Sequence, residues 1–244
     1  MPYWAKFINN TMPGNLKKLE ETIHIQFRDK SLIENVFVHR SYLNEHKRFH
    51  LPSNEKLEFL GDSVLSLITS VYLFKNYPDF QEGDYTEIKS SIVKTESLAI
   101  AARTLRLGDY IYLSKGEEQG MGRVNSNILA DCFEALIGCI FIDQSFEAAY
   151  DFVVRYLFKS NNLDGVIEAK SYLSAKSNLQ EYIQRKFKVL PSYRVLDQKG
   201  PEHDRIFRIG VFLKSKKMGE GVASSKKLAE EKAAQVAFEN RKSL

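Results

Sequence analysis

The stretch Asn54–Tyr77, NEKLEFLGDSVLSLITSVYLFKNY, decides the reading of this chain. Leu57, Phe59, Leu60, Val64 and Leu65 make it rich in core-type residues, and the run stops before Pro78, where helices usually end. A helix of several turns is predicted. Inside it stand three carboxylates, Glu55, Glu58 and Asp62, at i, i+3 and i+7, so one helix face carries all three. A second run, NILADCFEALIGCIFIDQ (127–144), repeats the pattern with Asp131 and Glu134 at i and i+3.

Either acid cluster alone reads as a solvated helix face. Asp131 and Glu134, however, sit among Ile128, Leu129, Phe133, Leu136, Ile137 and Ile140, which leave little of that helix for water. Buried carboxylates need a cationic partner. Lys56 is the obvious basic residue nearby in sequence, and a divalent metal fits two facing clusters better. Carboxylates with few His or Cys ligands select hard ions, Mg²⁺ or Mn²⁺. Such a site suits phosphodiester hydrolysis. Gly61 in mid-helix costs about 1 kcal/mol against Ala, which points to close approach of another backbone.

Around this centre the chain reads as helices from Leu16 to about Leu163. SLIENVFVHRSYL and YTEIKSSIVKTESLAIAARTLRLG each read as helical, the second ending on Gly108. A linker is expected near residues 160–174. Beyond it the pattern changes: a helix at SNLQEYIQRK, alternating strands at SYRVLDQKG and DRIFRIGVFL, and a short third strand ending near two glycines. An alanine-rich helix capped by Ser224 or Ser225 follows. The fold class is therefore an all-α domain (1–169) followed by a small α+β domain of order α-β-β-β-α (170–244).

Charge divides the same way. Residues 170–244 carry 17 Lys+Arg against 8 Asp+Glu (+9), and residues 1–169 carry 18 against 23 (−5). A basic module joined to an acidic one suits a polyanion-binding unit coupled to a second activity. Cys132 and Cys139 lie about 10 Å apart along a helix, too far for a disulfide, and suit a reducing cytoplasmic compartment. No signal-peptide pattern is read at the N-terminus. The longest apolar run, Ala135–Ile142, is far below the ~20 residues of a bilayer span, so no membrane partner is expected.

NEKLEFLGDSVL closely resembles the signature of the ribonuclease III family, NILADCFEALIGCIFID its second acidic motif, and VFVHRSYLNE (36–45) its upstream His-x-Ser-Tyr motif. The resemblance covers all but roughly the first fifteen residues. It implies a homodimeric, helical endonuclease domain that cuts double-stranded RNA with Mg²⁺, leaving 5′-phosphates and short 3′ overhangs. By motif position Glu58, Asp62, Asp131 and Glu134 would bind metal, with Asp62 and Glu134 catalytic and Glu55 and Glu82 at the periphery. The C-terminal order resembles a double-stranded RNA-binding domain. There Ser177, Gln180 and Glu181 would face a minor groove, His203 a second one, and Lys226 and Lys227 phosphates across the major groove. A dimer seam around Phe59, Leu60 and Gly61 is expected, with no small-molecule cofactor.

Other signals are discounted. His46 and His50 are spaced like a helical zinc pair but have no Cys and no HExxH around them. KGEEQGMGR lacks the Gly-Lys-Ser/Thr of a phosphate loop and reads as a flexible connection. GEGVAS is no dinucleotide fingerprint, and Tyr3 and Trp4 read as cover for a domain edge. Two rivals remain: an RNA-gripping protein of the same fold that does not cut, and a DNA nuclease.

Overall fold

The long apolar stretch forms one helix, α4 (Glu55–Asn76), in this computed structural model, which describes residues 13–201 and 204–241. Its start is pinned by the buried Asn54: the backbone N–H donates to Val38 O (2.9 Å) and the side-chain amide to Val36 O (3.0 Å). By length and composition α4 could cross a bilayer, yet Leu57, Val64, Leu65, Ile68 and Leu73 are buried in the core. Its partner, α8 (Ser126–Asp143), is buried on nearly every side and begins at Asn125, whose side chain accepts from the Asn127 and Ile128 amides. Fully burying residues such as Phe133, Leu136 and Ile137 contributes roughly 1.5–3 kcal/mol each.

The two helices meet backbone to backbone. A Cβ on Gly61 would lie 1.8 Å from Glu134 O, and one on Gly138 would lie 2.4 Å from Leu57 O. Gly61 is thus spent inside the subunit against α8. It does not belong to the expected seam with a second chain, because its missing side chain is what lets α8 approach.

The other α-helices here are α1 (Leu16–Ile23), α2 (Lys30–Val36), α3 (Arg40–Glu45), α5 (Glu82–Ile92), α6 (Thr95–Thr104), α7 (Lys115–Gln119) and α9 (Phe146–Val153), with α10 (Leu163–Glu168) at the unit's end. Three expectations need correction. SLIENVFVHRSYL is two helices: Val38 pairs with Tyr112 in an isolated parallel bridge, which takes Phe37–His39 out of helical geometry. The 85–108 stretch breaks at Val93–Lys94, and its second helix ends at Thr104, short of Gly108, with Arg106 left-handed at φ 55°. KGEEQGMGR is no flexible connection. Ser114 caps α7, and Arg123 bonds Glu118 (2.7 Å) and the carbonyls of Gly108 and Ile111 (2.8 and 3.0 Å).

The chain divides into two compact units between Ile167 and Glu168. In the second, α11 (Ala175–Phe187) precedes β1 (Ser192–Lys199), β2 (Ile206–Leu213) and β3 (Lys216–Ala223), and α12 (Lys226–Glu239) closes the order. The strands form an antiparallel sheet in the order β1-β2-β3, with Tyr193 opposite Val211 and Val211 opposite Gly219. Leu179, Ile183, Val211, Met218, Ala233, Ala234 and Ala237 make its core. The two glycines, Gly219 and Gly221, lie within β3. Cβ atoms there would collide with the α12 backbone, so small residues on both elements let helix and sheet close up.

Candidate active site

Because α4 and α8 touch at Gly61, the acids one turn to either side converge. Glu58, Asp131 and Glu134 each bring a carboxylate oxygen within 4.8 Å of the others. All three are half-buried, and among the described residues no ion pair neutralises any of them. The electrostatic consequence is plain. Burial, then Asp62, Asp131 and Glu58, push the Glu134 carboxyl up to about 8. Burial, then Asp131 and Glu55, raise Glu58. Burial raises Asp131 against the pull of His39 and Arg40. Three all-oxygen donors that repel one another form a set suited to a hard divalent cation, which would remove the repulsion.

Asp62 stands just outside this trio. It is exposed on α4, yet close enough to be the leading charge felt by Glu134. Glu55 is exposed at the start of α4, with Oε2 accepting from Ser53 Oγ (2.6 Å) and Oε1 3.6 Å from Arg40 Nη1. Glu82 is not brought to the cluster within this chain. It opens α5, accepts from Thr86 Oγ1 (3.1 Å) and lines a groove with Ser70, Phe74 and Lys89. Ser70 lies eight residues beyond Asp62, about 12 Å along α4.

The His-x-Ser-Tyr residues act as a bracket. His39 caps α3, its Nδ1 accepting the Ser41 amide (3.3 Å) and lying 2.8 Å from Ser41 Oγ, which in turn accepts the Ser114 amide (3.1 Å). A backbone N–H can only donate, so Nδ1 is the acceptor and the neutral ring carries its proton on Nε2. Burial lowers the pKa of His39, which favours that neutral ring. Nothing in the local sequence around His39 and Arg40 gives either a role in the site. Both are fifteen or more residues from α4, and only the fold sets them beside its acids.

In the second unit, Gln180 and Glu181 are exposed on α11 and Ser177 is half-buried one turn earlier, opposite the buried Leu179 and Ile183. The N-terminal turn of α11 is tied to α12 by Lys176–Glu230 (2.6 Å) and by the Ala175 amide on Glu231 (2.5 Å). Ser177 therefore shares one end of this unit with Lys226 and Lys227, which are exposed in the first turn of α12 after the Ser225 cap. His203, like Tyr3 and Trp4, lies outside the described residues.

A Ribonuclease-III-like family model matches residues 29–161, and a double-stranded RNA binding motif model matches residues 175–241. Ribonuclease 3 of Treponema denticola is 42% identical over 225 residues, covering 92% of this chain and 90% of that protein. This chain belongs to the ribonuclease III family. Ribonuclease 3 of Bacillus licheniformis is likewise 42% identical, over 91% of this chain and 88% of its own. The nuclease domain of ribonuclease III from Campylobacter jejuni superposes with a TM-score of 0.56 at 36% identity, covering 60% of this chain and 98% of that one. The family carries the expected architecture, a helical nuclease domain followed by an RNA-binding α-β-β-β-α domain, and makes this protein an endoribonuclease.

Proposed function

We propose that this ribonuclease III family member cuts double-stranded RNA as a homodimer in the cytoplasm, using Mg²⁺ (or Mn²⁺ in its place) held by Glu58, Asp131 and Glu134. The observation that carries this reading is the half-buried trio of acids without a neutralising partner. Bound there, the ion would supply Lewis acidity and a nucleophilic water at neutral pH.

The chain's own residues do the rest. Glu58 and Asp131 present oxygens from different helices, so their separation is set by the rigid α4–α8 contact. Glu134, its carboxyl pushed up to about 8 by burial and the neighbouring acids, would give up its proton on holding the cation. Asp62, exposed at the mouth of the cluster, would complete the metal-binding quartet and serve the catalytic step with Glu134. Glu55 and Glu82 have peripheral roles. Ser177, Gln180, Glu181, His203, Lys226 and Lys227 grip the duplex by shape and phosphate. The helix dipole of α12 adds to the last two.

Two cuts in register need two copies of the site. Phe59, Leu67 and Phe74 are 78%, 53% and 72% exposed, and their spacing puts them on one face of α4. An apolar face of this kind supports a covering partner, and the similar nuclease domain from Campylobacter jejuni has a region involved in dimer formation. A dimer cutting both strands would leave 5′-phosphates and short 3′ overhangs. Ribosomal RNA precursors and messenger hairpins are the duplex substrates this reading favours, with no membrane and no organic cofactor.

The test uses wild-type and Glu134→Ala protein with one labelled RNA duplex, first in Ca²⁺ and then in Mg²⁺. Binding by both, with Mg²⁺-dependent cutting of both strands by the wild type alone, is expected. Binding without cutting by either protein would make the chain an RNA clamp, and equal cutting of duplex DNA would make it a general nuclease.

A further inference from the structure

Arg40 is the first residue of α3, and its side chain is 74% exposed. The guanidinium does not sit on the metal-ligand trio. It reaches Glu55 instead, with Nη1 3.6 Å from Oε1, and Ser53 Oγ holds the other oxygen of the same carboxylate at 2.6 Å. Glu55 lies one helical turn before Glu58, so the cation is held at the rim of the acid cluster, and among the described residues it makes no ion pair with Glu58, Asp131 or Glu134. Its field is felt across the cluster, opposing the upward push of burial on both Glu58 and Asp131. A guanidinium has five N–H donors in a planar fork, and one long contact to Glu55 leaves most of them available. A surface pair of this exposure adds little stability, so stability alone does not account for an arginine aimed at this rim.

We propose that Arg40, seated on Glu55, is a substrate-phosphate contact of the nuclease site, and that in the absence of RNA it serves as a fixed counter-charge to the acids. The inference rests on the metal-dependent reading given above. A cation beside the ligands opposes metal uptake by the free protein, and an RNA phosphate that engages Arg40 draws that charge onto itself. Substrate binding and metal binding then favour each other.

The experiment measures two quantities on the purified full chain: the affinity for Mn²⁺ alone, and the salt dependence of duplex RNA binding in Ca²⁺. Arg40→Ala should tighten Mn²⁺ binding by roughly three- to tenfold, the effect of removing one charge several ångströms away in a water-rich rim. The same variant should weaken RNA binding and flatten the plot of log K against log salt by about 0.9 for each phosphate it no longer neutralises. Glu55→Gln should weaken Mn²⁺ binding, since it removes a negative charge beside the site and leaves the cation. Arg40→Lys should restore the Mn²⁺ affinity and only part of the RNA binding, because an ammonium lacks the fork. An unchanged salt slope in Arg40→Ala would overturn the proposal, as would Mn²⁺ affinity that fails to rise. A wild-type protein that takes up no Mn²⁺ would instead sink the metal reading of the acids, and the salt slope would still judge the phosphate contact.

Discussion

Glu134 shows most directly what the site demands of single residues. Its carboxyl is pushed from 4.5 up to about 8 by burial and by Asp62, Asp131 and Glu58. A carboxyl whose pKa is raised on folding favours the folded state fully below the unfolded value. That contribution is lost as pH rises through the folded value. The metal-free protein should therefore lose stability between about pH 4.5 and pH 8, and Glu58 and Asp131 act in the same direction. Glu134→Gln keeps the shape without the charge. In EDTA at pH 8 it should melt higher than the wild type, and added Mn²⁺ should raise the wild-type melting temperature more than the variant's. Thermal unfolding across pH, with and without Mn²⁺, checks this. Parallel curves for the two proteins would show that the trio does not repel as described.

At the scale of elements, the decisive contact is α4 against α8 through Gly61 and Gly138. Gly61→Ala places a methyl 1.8 Å from Glu134 O, a backbone atom that cannot rotate away. The helices must separate, at a cost of about 3 kcal/mol. Because the displaced residue is Glu134 itself, Mn²⁺ affinity should fall along with stability. Gly83→Ala on α5 meets nothing within 4 Å and should leave stability unchanged or slightly raised. Urea titrations of the two variants separate these outcomes, and equal midpoints would show that α4 and α8 do not rely on a bare Gly61. The same contact explains why α4, long and apolar enough to resemble a membrane helix, carries acids at its start: its apolar side fills the core while its first turns form a site.

For the whole molecule, the exposed stripe Phe59, Leu67 and Phe74 and the charge division make separate statements. The stripe supports a second copy. Phe59→Asp changes a side chain that is 78% exposed, so the fold should survive while an apolar seam acquires a charge. Sedimentation should show a dimer for the wild type and a monomer for the variant, and cleavage should fall to isolated nicks or vanish. A wild-type monomer, or a Phe59→Asp dimer that cuts both strands, would remove this face from the assembly. The positive excess in residues 170–244 belongs with the unit that presents Lys226 and Lys227 at the end it shares with Ser177.

The sequence by itself determined the helical class of the first domain, the α-β-β-β-α element order of the second and the identity of the acids. Each of these rests on local periodicity: i, i+3 and i+7 put Glu55, Glu58 and Asp62 on one face whatever else the chain does. Family motifs pointed to the same residues, and the family models span both domains. Tertiary structure alone decided which acids meet. Glu58 joins Asp131 and Glu134 while Asp62 stands at the mouth, because the helix crossing is set by two glycines seventy-seven residues apart. It also broke two long apolar patterns into pairs of helices: the Val38–Tyr112 bridge answers to a distant partner, and α5 ends at its cap Val93 before Lys94 opens α6. Arg40 reaches Glu55 only in the folded chain, so its contact was illegible in one dimension. Periodicity records what a residue shares with its own helix, and the close approach of two backbones is a property of the packed core.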